Sequence, residues 1–226
     1  MLRSFEPISF VKKYFMEKQF DRIPAHLKPK NIGTDSLFKS GFMEKLTRTH
    51  ISIPVTIHLI IVGLFIYKFW ATLMPWQFLS VFFAGYIFWT FSEYWIHRVL
   101  YHVQTTNKLL LNIQHMGHGI HHQYPKDPTR LAMPPVPALI LLSLFFGLFW
   151  LIMGNYTFAY FPGFLLGYVA YISLHYMQHL FKPPAFPPLN RLWKWHALHH
   201  YKYPESKAFG VSTSLWDVVF GTQPRD

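Results

Sequence analysis

Four apolar stretches dominate the chain. Residues 51–67 carry no charge and end at Lys68, Phe69 and Trp70; residues 76–95 carry a single one, Glu93. After a polar interval come residues 136–153 and then 156 to about 177, again without charge. Each run approaches the ~20 residues needed to cross a bilayer core, and four of them in 226 residues do not suit a soluble core. The pattern predicts an all-α integral membrane fold with transmembrane helices at about 51–70, 76–95, 136–153 and 156–177. Tight links at about residues 71–75 and at Gly154 and Asn155 pair the helices into two hairpins. Pro183, Pro184, Pro187 and Pro188 end the fourth helix.

The polar segments, residues 1–50, about 96–135 and about 178–226, then fall on one side of the membrane. Of the 21 Lys and Arg residues all but Lys68 lie in them. By the positive-inside rule that side is cytoplasmic, and with it both termini. The expected membrane is the inner one in a bacterium or the endoplasmic reticulum in a eukaryote. Residues 1–50 mix bases with Phe10, Tyr14, Phe15, Phe20, Leu37, Phe38, Phe42 and Leu46, which reads as short amphipathic helices on the inner surface. Residues 178–226 form a helical cytoplasmic cap, and the whole chain reads as one membrane domain.

Composition adds exclusions. With 51% hydrophobic and 14% charged residues the balance is that of a membrane protein. The net charge of +11 is then better matched by anionic lipid than by nucleic acid, which is not an expected partner. There is no cysteine, so disulfides, thiolate nucleophiles and iron–sulfur clusters are excluded. Lys12, Lys13, Glu17, Lys18 and Asp21 rule against a cleaved signal peptide.

The candidate chemistry lies in histidine. Of 14 histidines, ten form four clusters in the cytoplasmic segments and at the membrane boundary: His97 and His102; His118, His121 and His122; His175 and His179; His196, His199 and His200. Residues three and four apart share a helix face, so each of the last three clusters can point to one locus. His97 and His102 are five apart, which places one beyond the helix end or on a local bulge. Crowded imidazoles repel when protonated, whereas a metal binds their neutral form. Ten exceed the needs of one metal and suit two, at roughly five each. His26, His50, His58 and His115 read as bystanders. Glu93, one turn before His97, could accept its N–H or pair with Arg98 or a tyrosine; Asp127 and Asp217 have similar orienting potential.

The clusters and their surroundings resemble the fatty acid hydroxylase and sterol desaturase superfamily. Glu93-Tyr94-Trp95-Ile96-His97-Arg98, His118-Gly119-Ile120-His121-His122 and Asp127-Pro128-Thr129-Arg130 through Pro135 are similar to the 2-hydroxylases of sphingolipid acyl chains. So are His199-His200-Tyr201-Lys202-Tyr203-Pro204, Phe209-Gly210-Val211-Ser212 and Trp216-Asp217 through Thr222. The resemblance implies that the ten clustered histidines ligate two metal ions, of iron, that activate O₂ as co-substrate. Zinc, a conceivable occupant of the isolated protein, has no redox chemistry with which to attack a C–H bond. It also implies a membrane lipid substrate hydroxylated at carbon 2 of a long acyl chain, free or ceramide-like, with Tyr171 and Arg130 as substrate-binding candidates. Relatives usually carry Tyr-Asp before the third box; here Ile172 follows Tyr171. Some also carry a fused haem domain, for which residues 1–50 are too short, so a separate electron donor is expected.

Three rival readings remain at this level. Lipid or sterol desaturation could use the same oxidant. Metal transport would place ionisable ligands within the spans. Zinc hydrolysis would require a carboxylate base in a histidine box, and none is present.

Overall fold

The computed structural model describes residues 28–224. Among these the regular structure is entirely helical. In chain order the elements are α1 (Gly41–Leu46), α2 (Ser52–Phe69), α3 (Pro75–Trp95), α4 (Lys108–Gln114), α5 (Ile120–Gln123), α6 (Pro135–Met153), α7 (Thr157–Leu180), α8 (Pro187–Tyr201) and α9 (Leu215–Val219). The four long helices, α2, α3, α6 and α7, coincide with the four apolar runs. Two helical stretches, Ser52–Thr72 and Pro135–Leu180, are long and apolar enough to cross a membrane by length and composition. The second contains a reversal: Gly154 has φ +54°, a left-handed conformation that glycine adopts without strain. It lets α6 turn back along α7, so that Phe149 meets Tyr160 and Phe164, and Phe145 meets Phe164.

Helix α7 is central. It runs parallel to α3 and antiparallel to α2 and α6. Its closeness to α3 depends on glycine. A Cβ on Gly163 would overlap the Phe82 carbonyl, one on Gly85 would overlap the Tyr160 carbonyl, and one on Gly167 would come 2.6 Å from the Trp89 side chain. Alanine at Gly163 or Gly85 would force the two helices apart. Since α3 leads into His97 and α7 carries His175 and His179, this crossing also sets the spacing of the histidine segments.

Around α7, Leu165 and Phe164 are fully buried, with Trp89, Leu142, Phe149 and Phe161 close to it. Outward faces are the reverse: Leu64, Leu144 and Leu151 stand 60%, 65% and 84% exposed. Apolar residues point both inward and outward, as in a lipid-facing helix rather than one with a polar solvent face. Residues 28–50 are largely without regular structure, with α1 as their one helix. Leu37 and Leu46 line the edge of a cavity described below. The expectation for Phe10 to Phe20, like His26, lies outside the described residues.

Candidate metal centre

The long helices deliver the histidine segments to one end of the molecule. Helix α3 does not stop cleanly at Trp95: it widens into a π-helical turn, Ile96–Tyr101. A π turn brings residues five apart onto one side, which resolves the spacing of His97 and His102. A second π turn, His115–Gly119, follows α4 and runs into α5, carrying His118, His121 and His122. His175 and His179 occupy the last turns of α7, and His196, His199 and His200 the last turns of α8.

All ten rings are buried, and they form two groups of five. One is His97, His102, His118, His122 and His199; the other is His121, His175, His179, His196 and His200. Within each group the ligand atoms lie within 4.8 Å of one another. The reading of His118, His121 and His122 as one locus, and of His196, His199 and His200 as another, is therefore corrected, whereas His175 and His179 do stay together. His118 and His122, four apart, share a face and enter the first group, while the intervening His121 enters the second. His196 and His200 go to the second group and His199 to the first. Adjacent helical residues point about 100° apart, so one helix contributes to both groups. The groups adjoin, since the rings of His122 and His200 stack across the boundary with centroids 4.2 Å apart.

The donor geometry fits cations. Nδ1 of His97 lies 2.6 Å from the Phe209 carbonyl, Nδ1 of His175 3.1 Å from that of Leu131, and Nδ1 of His199 2.9 Å from that of Lys207. A carbonyl only accepts, so each Nδ1 must carry the proton and each Nε2 presents its lone pair inward. Those lone pairs face other imidazole nitrogens: His97 Nε2 is 2.9 Å from His118 Nε2, His199 Nε2 3.2 Å from His122 Nε2, and His175 Nε2 3.0 Å from His121 Nε2. Burial first, and then neighbouring rings, push His118, His121, His122, His196 and His200 well below the ordinary imidazole range. Burial takes His199 to about 4. At neutral pH these rings are uncharged, the form a metal takes.

The acids do something other than hold rings directly. Glu93, 3% exposed, does not reach His97. It accepts from the Val211 N–H (2.7 Å), the Ser212 N–H (2.9 Å) and the Ser212 hydroxyl, while Arg98 donates to the Tyr94 hydroxyl. Asp217 accepts from the N–H groups of Phe209 (2.9 Å) and Gly210 (2.8 Å) and from Thr222 Oγ1 (2.7 Å). Together they fasten residues 209–212, whose Phe209 carbonyl orients His97. Gly210 is required there, because a Cβ would overlap the Thr213 carbonyl.

Asp127 anchors a strap formed by residues 30–48. It accepts from Thr34 and from Arg48 (3.1 Å), while Arg130 donates to Glu44, to the Asp35 carbonyl (2.7 Å) and to Thr47 (3.3 Å). Burial raises the carboxyls of Glu44 and Asp127, but hydrogen bonds and the arginines outweigh it and leave both below their ordinary values. A depressed carboxylate stabilises the fold above its unfolded value and loses that contribution as pH falls through the folded one. The strap should therefore hold at neutral pH and release below the ordinary value of 4.5. Glu44→Gln should loosen it at pH 7 as well. Faster hydrogen exchange of residues 30–48 in that variant, with residues 75–95 unchanged, is the expected reading.

Beneath the rings lies a cavity of about 460 Å³, within the range of ligand sites. His97 and His118 from one group and His121 and His175 from the other line it together. Its walls are mostly apolar, including Leu46, Trp89, Leu141, Phe145 and Phe164. Tyr171 lines it and stacks on His175, with centroids 5.7 Å and planes 7° apart. Tyr101, which sequence reasoning did not single out, does the same on His118, at 4.9 Å and 13°. Arg130 also borders the cavity but has its Nη groups on the strap.

The family model for fatty acid hydroxylases matches residues 82–222, more than half of the chain and all ten of these histidines. The chain belongs to the fatty acid hydroxylase family. It is 40% identical over 151 residues to a fatty acid 2-hydroxylase of Mus musculus, covering 64% of this chain and 40% of that protein. It is 39% identical over 141 residues to a dihydroceramide fatty acyl 2-hydroxylase of Arabidopsis thaliana, covering 62% of this chain and 59% of that one. Among solved structures, scs7p, of which only the hydroxylase domain is visible, superposes with a TM-score of 0.81 at 31% identity, covering 93% of this chain and 79% of that chain. The chain thus spans between two fifths and three fifths of these curated relatives. Of the bystander histidines, His50 and His115 are exposed and outside both groups, whereas His58 is buried in α2 with Nδ1 on the Pro54 carbonyl.

Proposed function

We propose that this protein is an O₂-dependent hydroxylase acting at carbon 2 of a long-chain fatty acyl group, free or in a ceramide-like lipid. The observation that carries this reading is the meeting of both histidine groups at the roof of one apolar cavity. A hydrophobic chain entering it brings its first carbons closest to the rings. The similarity to 2-hydroxylases over residues 82–222 supports the same reading.

The ten histidines hold two metal ions, and iron is the metal we assign. A bound iron pair would supply O₂ activation strong enough for an unactivated C–H bond, given two electrons from a donor protein, whereas zinc lacks redox chemistry. The chain's own residues do the positioning. The carbonyls of Phe209, Leu131 and Lys207 fix the tautomers of His97, His175 and His199. Glu93 and Asp217 anchor the loop that supplies the first of these carbonyls. The cavity walls exclude water and align the acyl chain, which confines attack to the carbons beside the roof. Tyr171 contacts the polar end of the substrate, and Arg130 contributes by holding the strap that covers the site.

In this reading all four long helices cross the bilayer, with the histidine end on the cytoplasmic side. Lys126, Arg191, Lys202 and Lys207 lie in segments at that end, and Lys68 sits at the far end of α2. Carbon 2 of an acyl lipid lies at the headgroup boundary, level with that end.

Membranes carrying the protein, supplied with reductant, ¹⁸O₂ and a saturated acyl chain, test the activity. The expected product gains one labelled oxygen at carbon 2. A product that has lost two hydrogens, or is oxidised elsewhere on the chain, contradicts the proposal.

A further inference from the structure

A second, smaller cleft lies across α6 from the first. It measures about 240 Å³ and is lined by Ile61 and Phe65 of α2, Leu139, Ser143 and Phe146 of α6, and Phe161 of α7. One further residue, Leu142, lines both this cleft and the larger cavity. Helix α6 thus stands between two apolar spaces, and Leu142, 8% exposed, is the side chain that faces both.

The position of Leu142 gives the partition its meaning. It lies seven residues into α6, about 10 Å along the helix axis from its histidine end. Phe145 and Phe149, one and two turns further along the same face, pack with Phe164 at 5.1 Å each and close off the space deeper along α6. An acyl chain running down from the roof therefore meets an aromatic stop ahead and Leu142 at its side. The space beyond Leu142 is apolar and continuous in character with the cavity, so the chain's far end is the occupant that suits it.

We propose that Leu142 sets the acyl-chain length this enzyme accepts, as the partition between the substrate cavity and the cleft bounded by Phe65, Phe146 and Phe161. The inference rests on the hydroxylase reading above. Leu142→Ala joins the two spaces and gives longer chains somewhere to go; Leu142→Phe thickens the partition and disfavours the longest chains. The shift comes from accommodating or refusing a few methylenes, and one methylene in an apolar pocket is commonly worth about tenfold or more in discrimination.

The test supplies membranes carrying each form with an equimolar series of saturated fatty acids and reads the ratio of long to short 2-hydroxy products. Relative to wild type, Leu142→Ala should raise that ratio about tenfold and Leu142→Phe should lower it. Adding Leu139→Trp to Leu142→Ala, which refills the cleft from the neighbouring turn of α6, should return the ratio toward wild type. Two variants with opposite shifts separate a change of selectivity from a folding defect, which lowers total product without altering the ratio. An unchanged ratio in both single variants, whatever the total yield, overturns the proposal and leaves the hydroxylase reading intact. Absence of any 2-hydroxy product from the wild type overturns both.

Discussion

Replacing His199 by alanine is expected to reduce the bound metal from two ions per chain toward one and to cut product formation by more than a hundredfold. His199 is fully buried, its Nδ1 is held by the Lys207 carbonyl, and its Nε2 faces His122 within the first group. Removal leaves four nitrogens in that group and a void where the fifth ring stood. Loss of a partner that merely orients a ligand commonly costs about 10–100-fold in affinity or activity, so loss of the ligand itself should cost more. His121→Ala should do the same to the second group, and both variants should still insert in the membrane. His115→Ala, at an exposed position outside both groups, should leave metal and product unchanged. Full turnover in both His199→Ala and His121→Ala would remove those positions from the ligand set.

The second large effect is expected at a residue that touches no histidine. Asp217 is completely buried and accepts from two backbone N–H groups and one hydroxyl. Asp217→Ala strands those donors, and each buried unsatisfied group costs about 1–3 kcal/mol. In a protein of this size each kcal/mol lowers the melting temperature by about 2–4 °C, so a loss on the order of 10 °C is expected. Because the freed segment carries the Phe209 carbonyl on which His97 rests, the variant should also bind metal less tightly at temperatures where it remains folded. Asp217→Glu keeps the charge but lengthens the arm and should fall between. A fall in melting temperature with undiminished metal affinity would separate the loop from the centre.

Much of this arrangement was legible before the structure. Uninterrupted apolar runs mark long helices because a bilayer-facing helix has no polar side to interrupt them, and the ends of α2, α3, α6 and α7 fall close to the run boundaries. The histidines were legible through number and spacing. Their division was not, because the four sequence clusters do not correspond to the two spatial groups: His121 and His122 are neighbours in the chain and belong to different groups. Also invisible were the orienting partners, which are backbone carbonyls of Phe209, Leu131 and Lys207 and leave no mark on residue type. Glu93 illustrates the remaining limit. Its helical neighbours suggested His97 or Arg98, yet its partners are Val211 and Ser212, brought over it by tertiary folding. The stack of Tyr101 on His118 arises in the same way, from a π turn that helical spacing alone does not announce.

The paired centre itself is tested most directly by elemental analysis of the full chain purified from membranes without chelator and reconstituted with ferrous iron under anaerobic conditions. Two tightly held iron ions per chain are predicted, falling toward one when either His199 or His121 is replaced. A saturating content of one ion or none in the wild type, or two ions retained by both variants, would contradict the division of ten imidazoles into two metal sites.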